Sequence, residues 1–241
     1  MLDFTNISVL SFDCYGTLID WESGILSALR PLFSRYGVDK PDRELLELYG
    51  RFERQAQEQT PFVNYNTVLR DVAASFCRHF NIDPKIGAEA EVEVEDILAD
   101  SLGDWPAFPD TVQALKSLKS RFKLAIISNV DDDMIGLSQA RLGVPFDWVI
   151  TSEHVGSYKP SEENFHTARR IMGVAPAQHV HVAQSLYHDV APSSALGWRT
   201  VWVNRRGAAT TPRVDSQPDL RVPNLEALAR LVATGGLEEE N

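Results

Sequence analysis

The sequence has little cysteine, a deficit of basic residues and no long apolar run. Its two cysteines, Cys14 and Cys77, form neither a disulfide framework nor a metal-ligand spacing. The 23 Lys and Arg against 34 Asp and Glu give a net charge of −11, the wrong sign for a general binder of nucleic acid or anionic membranes. No apolar stretch approaches the roughly 20 residues that span a bilayer, and no basic segment begins a secretion signal. These absences favour a cytoplasmic globular protein whose ligand is a small molecule.

The rest of the composition is typical of a globular protein with a full-sized hydrophobic core. Hydrophobic residues make up 44% and charged residues 24%, both ordinary values for a globular domain. A length of 241 residues corresponds to one large domain or to a core with an insert, at roughly 150 residues per domain. Disorder and collagen-like repeats are therefore excluded.

Short runs rich in β-branched residues predict the strands of a sheet. Each run is apolar on both faces, as expected for a parallel sheet covered by helices on both sides. The runs lie at 8–13, 123–128, 148–151, 179–183 and 200–203. Segments with helical spacing of apolar residues lie between or after the later runs, at 110–120, 134–142, 162–172, 190–196 and 225–232. This alternation predicts an α/β fold with a Rossmann-like, doubly wound parallel sheet as its core.

The interval between the first and second predicted strands is almost entirely helical in pattern. Its candidate helices lie at 25–36, 44–59, 67–80 and 92–101. An insert of this size is not an ordinary crossover connection, so we predict a helical cap domain, or lid, at 20–105. The core then consists of 1–19 and 106–241. Pro106 and Pro109 mark the return to the core, because proline stops a helix.

Polar side chains follow the predicted strands at the edge where ligands bind in open α/β sheets. Asp13 ends the first strand, Ser128 and Asn129 end the second, Lys159 follows the third, and Asp189 follows the fourth. We therefore expect two carboxylates, one ammonium group and several hydroxyl and amide groups to converge on one rim. Such a set suits a nucleophile with its electrostatic support.

Asp13 is the candidate nucleophile. A carboxylate attacks effectively when it is positioned and partly stripped of water. Lys159 is expected to keep Asp13 ionised, because an opposite charge within about 4–6 Å lowers a carboxyl pKa. Thr17 and Ser128 are expected to orient the carboxylate by hydrogen bonds, and Gly16 permits the tight turn after the strand.

Four ordered motifs resemble the haloacid dehalogenase superfamily of hydrolases. They are FDCYGTLID at 12–20, Ser128-Asn129, Tyr158-Lys159-Pro160 and the late Asp189. Most of that superfamily are magnesium-dependent phosphatases with a second Asp, the general acid, where this chain has Tyr15. The D-x-Y-G-T form resembles the 2-haloacid dehalogenase branch, which uses neither that acid nor a metal. The resemblance extends from about residue 8 to about residue 235.

The resemblance implies a displacement at carbon followed by hydrolysis. Asp13 is expected to attack C2 of a short 2-halocarboxylate, expelling halide and leaving an ester on the enzyme. Asp189, with Lys159 beside it, is expected to direct water onto that ester. Ser128 is expected to bind the substrate carboxylate and Asn129 to help receive the halide. No cofactor is implied.

The family also implies an arginine from the lid as a halide cradle. Arg51 and Arg54 are both candidates, and the sequence does not choose between them. Tyr15 and Gln184 are expected to contribute to substrate binding. A homodimer formed through the lid is an expectation from the family alone.

Departures from the family pattern concentrate in the fourth motif. Gln184 stands where the dehalogenases of the family have Ser and the phosphatases have a magnesium ligand, and Leu186 replaces an Asn. Two alternatives therefore stay open. One is a phosphatase of a small phosphate ester, with Mg²⁺ held by Asp13 and Asp189; the other is a non-catalytic binder that kept the fold. His188, next to Asp189, is expected to point outward.

Overall fold

The core of the protein is a parallel six-stranded sheet of order β3-β2-β1-β4-β5-β6. The computed structural model describes residues 2–59, 61–83, 94–205 and 214–235. The strands are β1 (Val9–Phe12), β2 (Lys123–Ser128), β3 (Trp148–Thr151), β4 (His179–Ala183), β5 (Arg199–Val203) and β6 (Leu220–Val222). The predicted α/β fold with a Rossmann-like sheet is confirmed.

Helices flank the sheet and fill the interval between its first two strands. They are α1 (Trp21–Arg35), α2 (Asp42–Gln57), α3 (Tyr65–Phe80), α4 (Ile97–Ser101), α5 (Thr111–Lys119), α6 (Asp132–Leu142), α7 (Ser152–Val155), α8 (Glu162–Met172), α9 (Ala191–Ala195) and α10 (Leu225–Ala233). A π-helical turn, Leu186–Val190, joins β4 to α9. None of the described helices is long and apolar enough to cross a bilayer.

Strand β1 occupies the centre of the sheet and sets the position of the site. Phe12, its last residue, pairs with Ile126 of β2 on one side and with Val182 of β4 on the other. The direction in which strands are added reverses at the β1–β4 boundary, and such a reversal opens a crevice beyond the carboxyl ends of the strands. Asp13, the next residue after Phe12, therefore lies at this crevice.

The lid helices α1–α4 leave and rejoin the core at adjacent points. Ile19 forms isolated bridges with Tyr15 and with Ala107, and the Asp20 amide donates to the carbonyl of Pro106 over 2.7 Å. The outgoing and returning links are thus held together by backbone hydrogen bonds. The division of the chain at residues 20 and 105 stays a prediction, and residues 92 and 93 of the predicted helix 92–101 lie outside the described residues.

Trp105, on the returning link, packs directly on α1. A β-carbon added to Gly24 of α1 would lie 2.3 Å from Cγ of Trp105, closer than any van der Waals contact allows. Trp105 is buried, and its indole Nε1 donates to Ser101 Oγ over 2.9 Å. Glycine at position 24 is therefore what lets this indole lie against the helix.

The structure adds two elements that the sequence patterns did not predict. Strand β6 extends the sheet at the edge beside β5, and the one-turn helix α7 follows β3. Both are short, and three or four residues carry too little periodicity to identify an element. Helix α1 also begins at Trp21, earlier than the predicted start at residue 25, because the Asp20 side chain accepts from the Ser23 amide as an N-cap.

Candidate active site

The site is built around a buried ammonium group between two carboxylates. Lys159 Nζ lies 2.9 Å from Asp13 Oδ1 and 2.6 Å from Asp189 Oδ1, and it also donates to the carbonyl of Ile127 over 2.9 Å. The side chain of Lys159 is 2% exposed, and those of Asp13 and Asp189 are 9% and 1% exposed. All three hydrogen atoms of the ammonium group therefore have acceptors.

The second oxygen of Asp13 is held from its own loop. Thr17 Oγ1 donates to Asp13 Oδ2 over 2.7 Å and accepts from the amide of Gln184 over 2.9 Å. Thr17 is fully buried. The hydroxyl thus connects the loop after β1 to the end of β4 and fixes the rotamer of Asp13.

Asn129 holds the loop that carries Lys159. The Lys159 amide donates to Asn129 Oδ1 over 2.7 Å, and Asn129 Nδ2 donates back to the Lys159 carbonyl over 3.0 Å. These reciprocal bonds anchor the loop after α7 to the end of β2. Asn129 lines the cavity, yet its amide serves first to position the ammonium group.

Two buried polar atoms at the site have no hydrogen-bond partner among the described residues, Ser128 Oγ and Asp189 Oδ2. The expected hydrogen bond from Ser128 to Asp13 is therefore absent. A buried polar atom left without a partner costs about 1–3 kcal/mol. Both atoms line the cavity, so a bound molecule is positioned to supply the missing partners.

Burial and charge act in opposite directions on the carboxylates. Burial raises the pKa of Asp13, and the Lys159 ammonium and the Thr17 hydroxyl offset only part of that rise. Burial also acts to raise the pKa of Asp189, but Lys159 and the His181 hydrogen bond outweigh it and lower the value to about 2. The two carboxylates in turn outweigh desolvation and raise the pKa of Lys159. Asp13 thus depends on the ammonium group for its charge.

A buried chain of hydrogen bonds runs from Asp189 through side chains of strands β4 and β1. His181 Nε2 lies 3.0 Å from Asp189 Oδ1, His181 Nδ1 lies 2.8 Å from Ser11 Oγ, and Ser11 Oγ lies 2.7 Å from His179 Nε2. Because ionised Asp189 only accepts, His181 Nε2 carries a proton. With His181 neutral, Ser11 donates to its Nδ1 and accepts from His179.

His179 makes the folded state sensitive to acid. Burial lowers the pKa of His179 to about 3, whereas an unfolded histidine titrates near about 6.5. The unfolded chain then binds more protons below pH 6.5, so this contribution to stability is lost as the pH falls. His179→Gln removes this effect. We therefore expect the difference in free energy of unfolding between the variant and the wild type to shift in favour of the variant by about 2 kcal/mol between pH 7 and pH 5.

Urea unfolding of both proteins at the two pH values measures this difference. His166→Gln is the matched control, because the His166 side chain is 50% exposed. An unchanged difference between pH 7 and pH 5 would show that His179 is not held neutral in the fold.

The cavity above the carboxylates is lined on one side by lid residues and has a volume of about 90 Å³. Arg54 of α2 lines it, whereas Arg51 lies outside, exposed and over the ring of Phe52 at 5.2 Å. The rest of the lid side of the wall consists of four aromatic side chains, one carboxylate, one amide and one glycine, from Trp21, Tyr49, Tyr65, Trp105, Glu53, Gln57 and Gly50.

His188 does not point outward, and that expectation is wrong. The side chain lines the cavity, and its Nδ1 lies 3.2 Å from Ser185 Oγ. Burial lowers its pKa to about 4, so the ring is neutral near pH 7. The π-helical turn explains the placement. Its Val190 amide donates to the Ser185 carbonyl, which widens the turn so that both His188 and Asp189 face the cavity.

The two carboxylates available to a divalent cation are Asp13 and Asp189, and both also bind Lys159. Tyr15 directs its hydroxyl to Ser138 Oγ over 3.0 Å, and burial raises its pKa well above the usual range. Gln184 lines the cavity without a charge. Within the described residues, no three His, Cys, Asp or Glu side chains come together as a metal site.

Comparison with known proteins identifies the class to which this fold and site belong. The family model of the haloacid dehalogenase-like hydrolases matches residues 7–193. The chain belongs to this family of hydrolases, as the sequence motifs predicted.

The individual relatives match this chain at modest identity, and the two dehalogenases cover nearly all of it. The (S)-2-haloacid dehalogenase of Pseudomonas sp. (strain YL) is 26% identical over 97% of this chain and 98% of its own length. The structure of L-2-haloacid dehalogenase from Xanthobacter autotrophicus superposes with a TM-score of 0.75 at 22% identity, over 94% of this chain and 98% of that one. A glyceraldehyde 3-phosphate phosphatase of Methanocaldococcus jannaschii is 27% identical over 69% of this chain and 77% of its own.

Several residues at the site escaped the sequence analysis. His181 sits inside a predicted strand as an apparent core residue, and only its spacing from His179 gave a signal: two histidines two apart share one face of a strand. Glu53 lies on a predicted lid helix and Trp21 shortly before another, and nothing in the sequence sets the direction in which either side chain faces.

Proposed function

We propose that the protein hydrolyses the carbon–halogen bond of short 2-haloalkanoic acids, with preference for the S enantiomer, and without a metal. The observation that carries the proposal is the Lys159 ammonium group bridging Asp13 and Asp189, at distances of 2.9 and 2.6 Å. It supplies the positive charge that a nucleophilic carboxylate needs in a buried site. The similarity to (S)-2-haloacid dehalogenases supports the same activity.

In the first step, an oxygen of Asp13 attacks C2 of the substrate from the side opposite the halogen. The carbon–oxygen bond forms as the carbon–halogen bond breaks, and the halogen leaves with the bonding electrons as halide. Lys159 and Thr17 hold the two carboxylate oxygens, so the nucleophile approaches in one orientation. The product is an ester between Asp13 and the substrate.

In the second step, water cleaves the ester. Asp189 Oδ2 is buried and unpartnered among the described residues, and a pKa of about 2 keeps this carboxylate ionised. It accepts a proton from water as the water oxygen attacks the ester carbonyl of Asp13. The ester bond breaks, Asp189 returns its proton to the departing alkoxide oxygen, and a 2-hydroxy acid is released. The remaining proton of the water leaves as Asp13 is regenerated as a carboxylate.

Two groups are assigned to the substrate itself. Ser128 Oγ, unpartnered in the described structure, donates to the carboxylate of the acid. Arg54 is the lid arginine that lines the cavity, and we assign it to the departing halide. Asn129 contributes by holding Lys159.

Halide release in EDTA tests this function. The panel contains chloro-, bromo- and fluoroacetate and both enantiomers of 2-chloropropanoate. We expect the wild type to release halide from the S enantiomer, and Asp13→Asn to release none, because an amide is not a nucleophile here. Absence of halide release by the wild type from every acid of the panel would refute the proposal.

A phosphatase acting on a small phosphate ester is the second candidate, favoured by the similarity to the Methanocaldococcus jannaschii phosphatase. The structure offers such a reaction no general acid at Tyr15, whose hydroxyl is engaged by Ser138. Phosphate release that requires Mg²⁺, with no halide release in EDTA, would establish this function in place of the first.

A further inference from the structure

Glu53 is a third carboxylate in a cavity that also contains Asp13, Asp189 and two cationic groups. It belongs to α2, lines the lid side of the cavity, and shares that cavity with Lys159 and Arg54. A carboxylate in this position repels the acid group of a substrate. Its presence in the wall of the cavity therefore needs an explanation, and the reaction proposed above does not use it.

Two tyrosine hydroxyls contact Glu53, and both contacts reach the same carboxylate oxygen, Oε1. Tyr65 Oη donates to Glu53 Oε1 over 2.6 Å, and Tyr49 Oη lies 3.1 Å from Tyr65 Oη and 3.4 Å from the same Oε1. A distance of about 2.6 Å is typical of a hydroxyl that donates to an ionised carboxylate. No described residue donates to Oε2, and no described cation forms an ion pair with Glu53.

Aromatic rings complete this part of the wall. Trp21 and Tyr49 lie with ring centroids 5.4 Å apart, and Tyr65 and Trp105 line the same cavity. Such rings accommodate the carbon chain of a ligand, and their faces attract an ammonium group. Burial raises the pKa of Glu53, and the tyrosine hydroxyls and Arg54 offset only part of that rise. A donor on Oε2 would stabilise the carboxylate further.

We propose that Glu53, with Tyr49 and Tyr65, forms a subsite for a hydrogen-bond donor, so that the natural substrate is a short acid bearing a hydroxyl or ammonium group at its other end. This inference rests on the proposed function only for the placement of the acid group near Ser128 and Lys159. The donor group of the substrate binds Glu53 Oε2 and occupies the position that the protein leaves without a partner.

Binding of three acids of nearly equal size, none of which carries a halogen, tests the subsite in the absence of a reaction. They are butanoate, 3-hydroxypropanoate and 3-aminopropanoate, which differ only in a methyl, hydroxyl or ammonium group at the far end. Calorimetric binding to the full chain is expected to favour the hydroxyl or the ammonium acid over butanoate by at least tenfold. A site that hydrogen-bonds a donor group of its ligand discriminates against an analogue that lacks this group.

Glu53→Gln is expected to reduce this preference to less than about threefold for the ammonium acid. Glu47→Gln is the matched control, because Glu47 lies on the same helix with its side chain 50% exposed. Which of the two donor acids binds more tightly distinguishes a hydroxyl from an ammonium substrate. Equal or tighter binding of butanoate, or no binding of any of the three, would overturn the subsite.

Turnover of the halogenated series separates this inference from the proposed function. The series is 2-chlorobutanoate, 2-chloro-3-hydroxypropanoate and 2-chloro-3-aminopropanoate. Halide release from all three without preference, unchanged in Glu53→Gln, would retain the dehalogenase function and remove the subsite. Selective binding of the donor acids without any halide release would retain the subsite and remove the dehalogenase function.

Discussion

Lys159→Met is expected to lower halide release at pH 7 by about a hundredfold to a thousandfold, the effect of removing one preorganised hydrogen-bond donor from an active site. Without the ammonium group, burial and the neighbouring Asp189 charge both raise the pKa of Asp13. The two carboxylates then share a proton, and Asp13 loses its nucleophilic form. Because deprotonation restores that form, the residual activity of the variant is expected to rise with pH above 7.

The same substitution is expected to destabilise the fold by about 3–5 kcal/mol, because it leaves buried charges without their partner. Lys116→Met, at an exposed position of α5, is the control. Urea unfolding gives the stability, and circular dichroism establishes that the variant is folded under assay conditions. Halide release within tenfold of the wild type would show that Asp13 does not depend on this ammonium group.

Asp189→Asn is expected to stop the reaction after the first step. Asparagine preserves the shape of the side chain and the oxygen that faces Lys159 and His181, but it does not accept a proton from water. The ester on Asp13 therefore forms and persists. We expect a halide burst of about one equivalent per active site, followed by steady-state turnover reduced by on the order of 10³, within the range of a lost general base.

Intact-protein mass spectrometry on denatured Asp189→Asn detects the ester as added mass on the chain. Asp13→Asn provides the comparison, because it is expected to give neither burst nor added mass. Full multiple turnover by Asp189→Asn would remove Asp189 from the hydrolytic step. Loss of the burst itself would place Asp189 in the first step instead.

The convergence of polar residues at the sheet edge was predictable because these residues lie at or after strand ends. Asp13, Ser128 and Lys159 follow buried strands or strand-like runs, and parallel strands bring their carboxyl ends to one edge. Position along the chain was enough to group these residues. Their hydrogen bonds were less accessible, since Ser128 Oγ turned out to have no partner in the described structure.

The lid side of the cavity was not predictable in the same way. Arg51 and Arg54 are three residues apart on α2, and residues at that spacing share one side of a helix. Only the packing of α2 against the rest of the protein decides that Arg54 reaches the cavity. The same limit applies to Glu53, whose functional position depends on the rotation of the whole helix.

The prediction for the direction of His188 was wrong for a different reason. An outward direction assumed ordinary α-helical geometry after β4, whereas the chain forms a π-helical turn there. A π-helical turn closes a larger ring of hydrogen bonds and changes the direction of the side chains that follow it. No single-residue pattern in the motif distinguishes the two turns.

The contact between Gly24 and Trp105 has a consequence for altering the size of the cavity. A side chain at position 24 and the indole at position 105 compete for one volume, with a separation of only 2.3 Å. Directed evolution toward larger substrates would need to treat the two positions as one unit: a smaller residue at 105 opens space that alanine at 24 can refill from the α1 side. Variants changed at only one of the two positions mostly contain steric clashes or cavities. Variants changed at both positions together can alter the shape of the pocket and keep the packing intact.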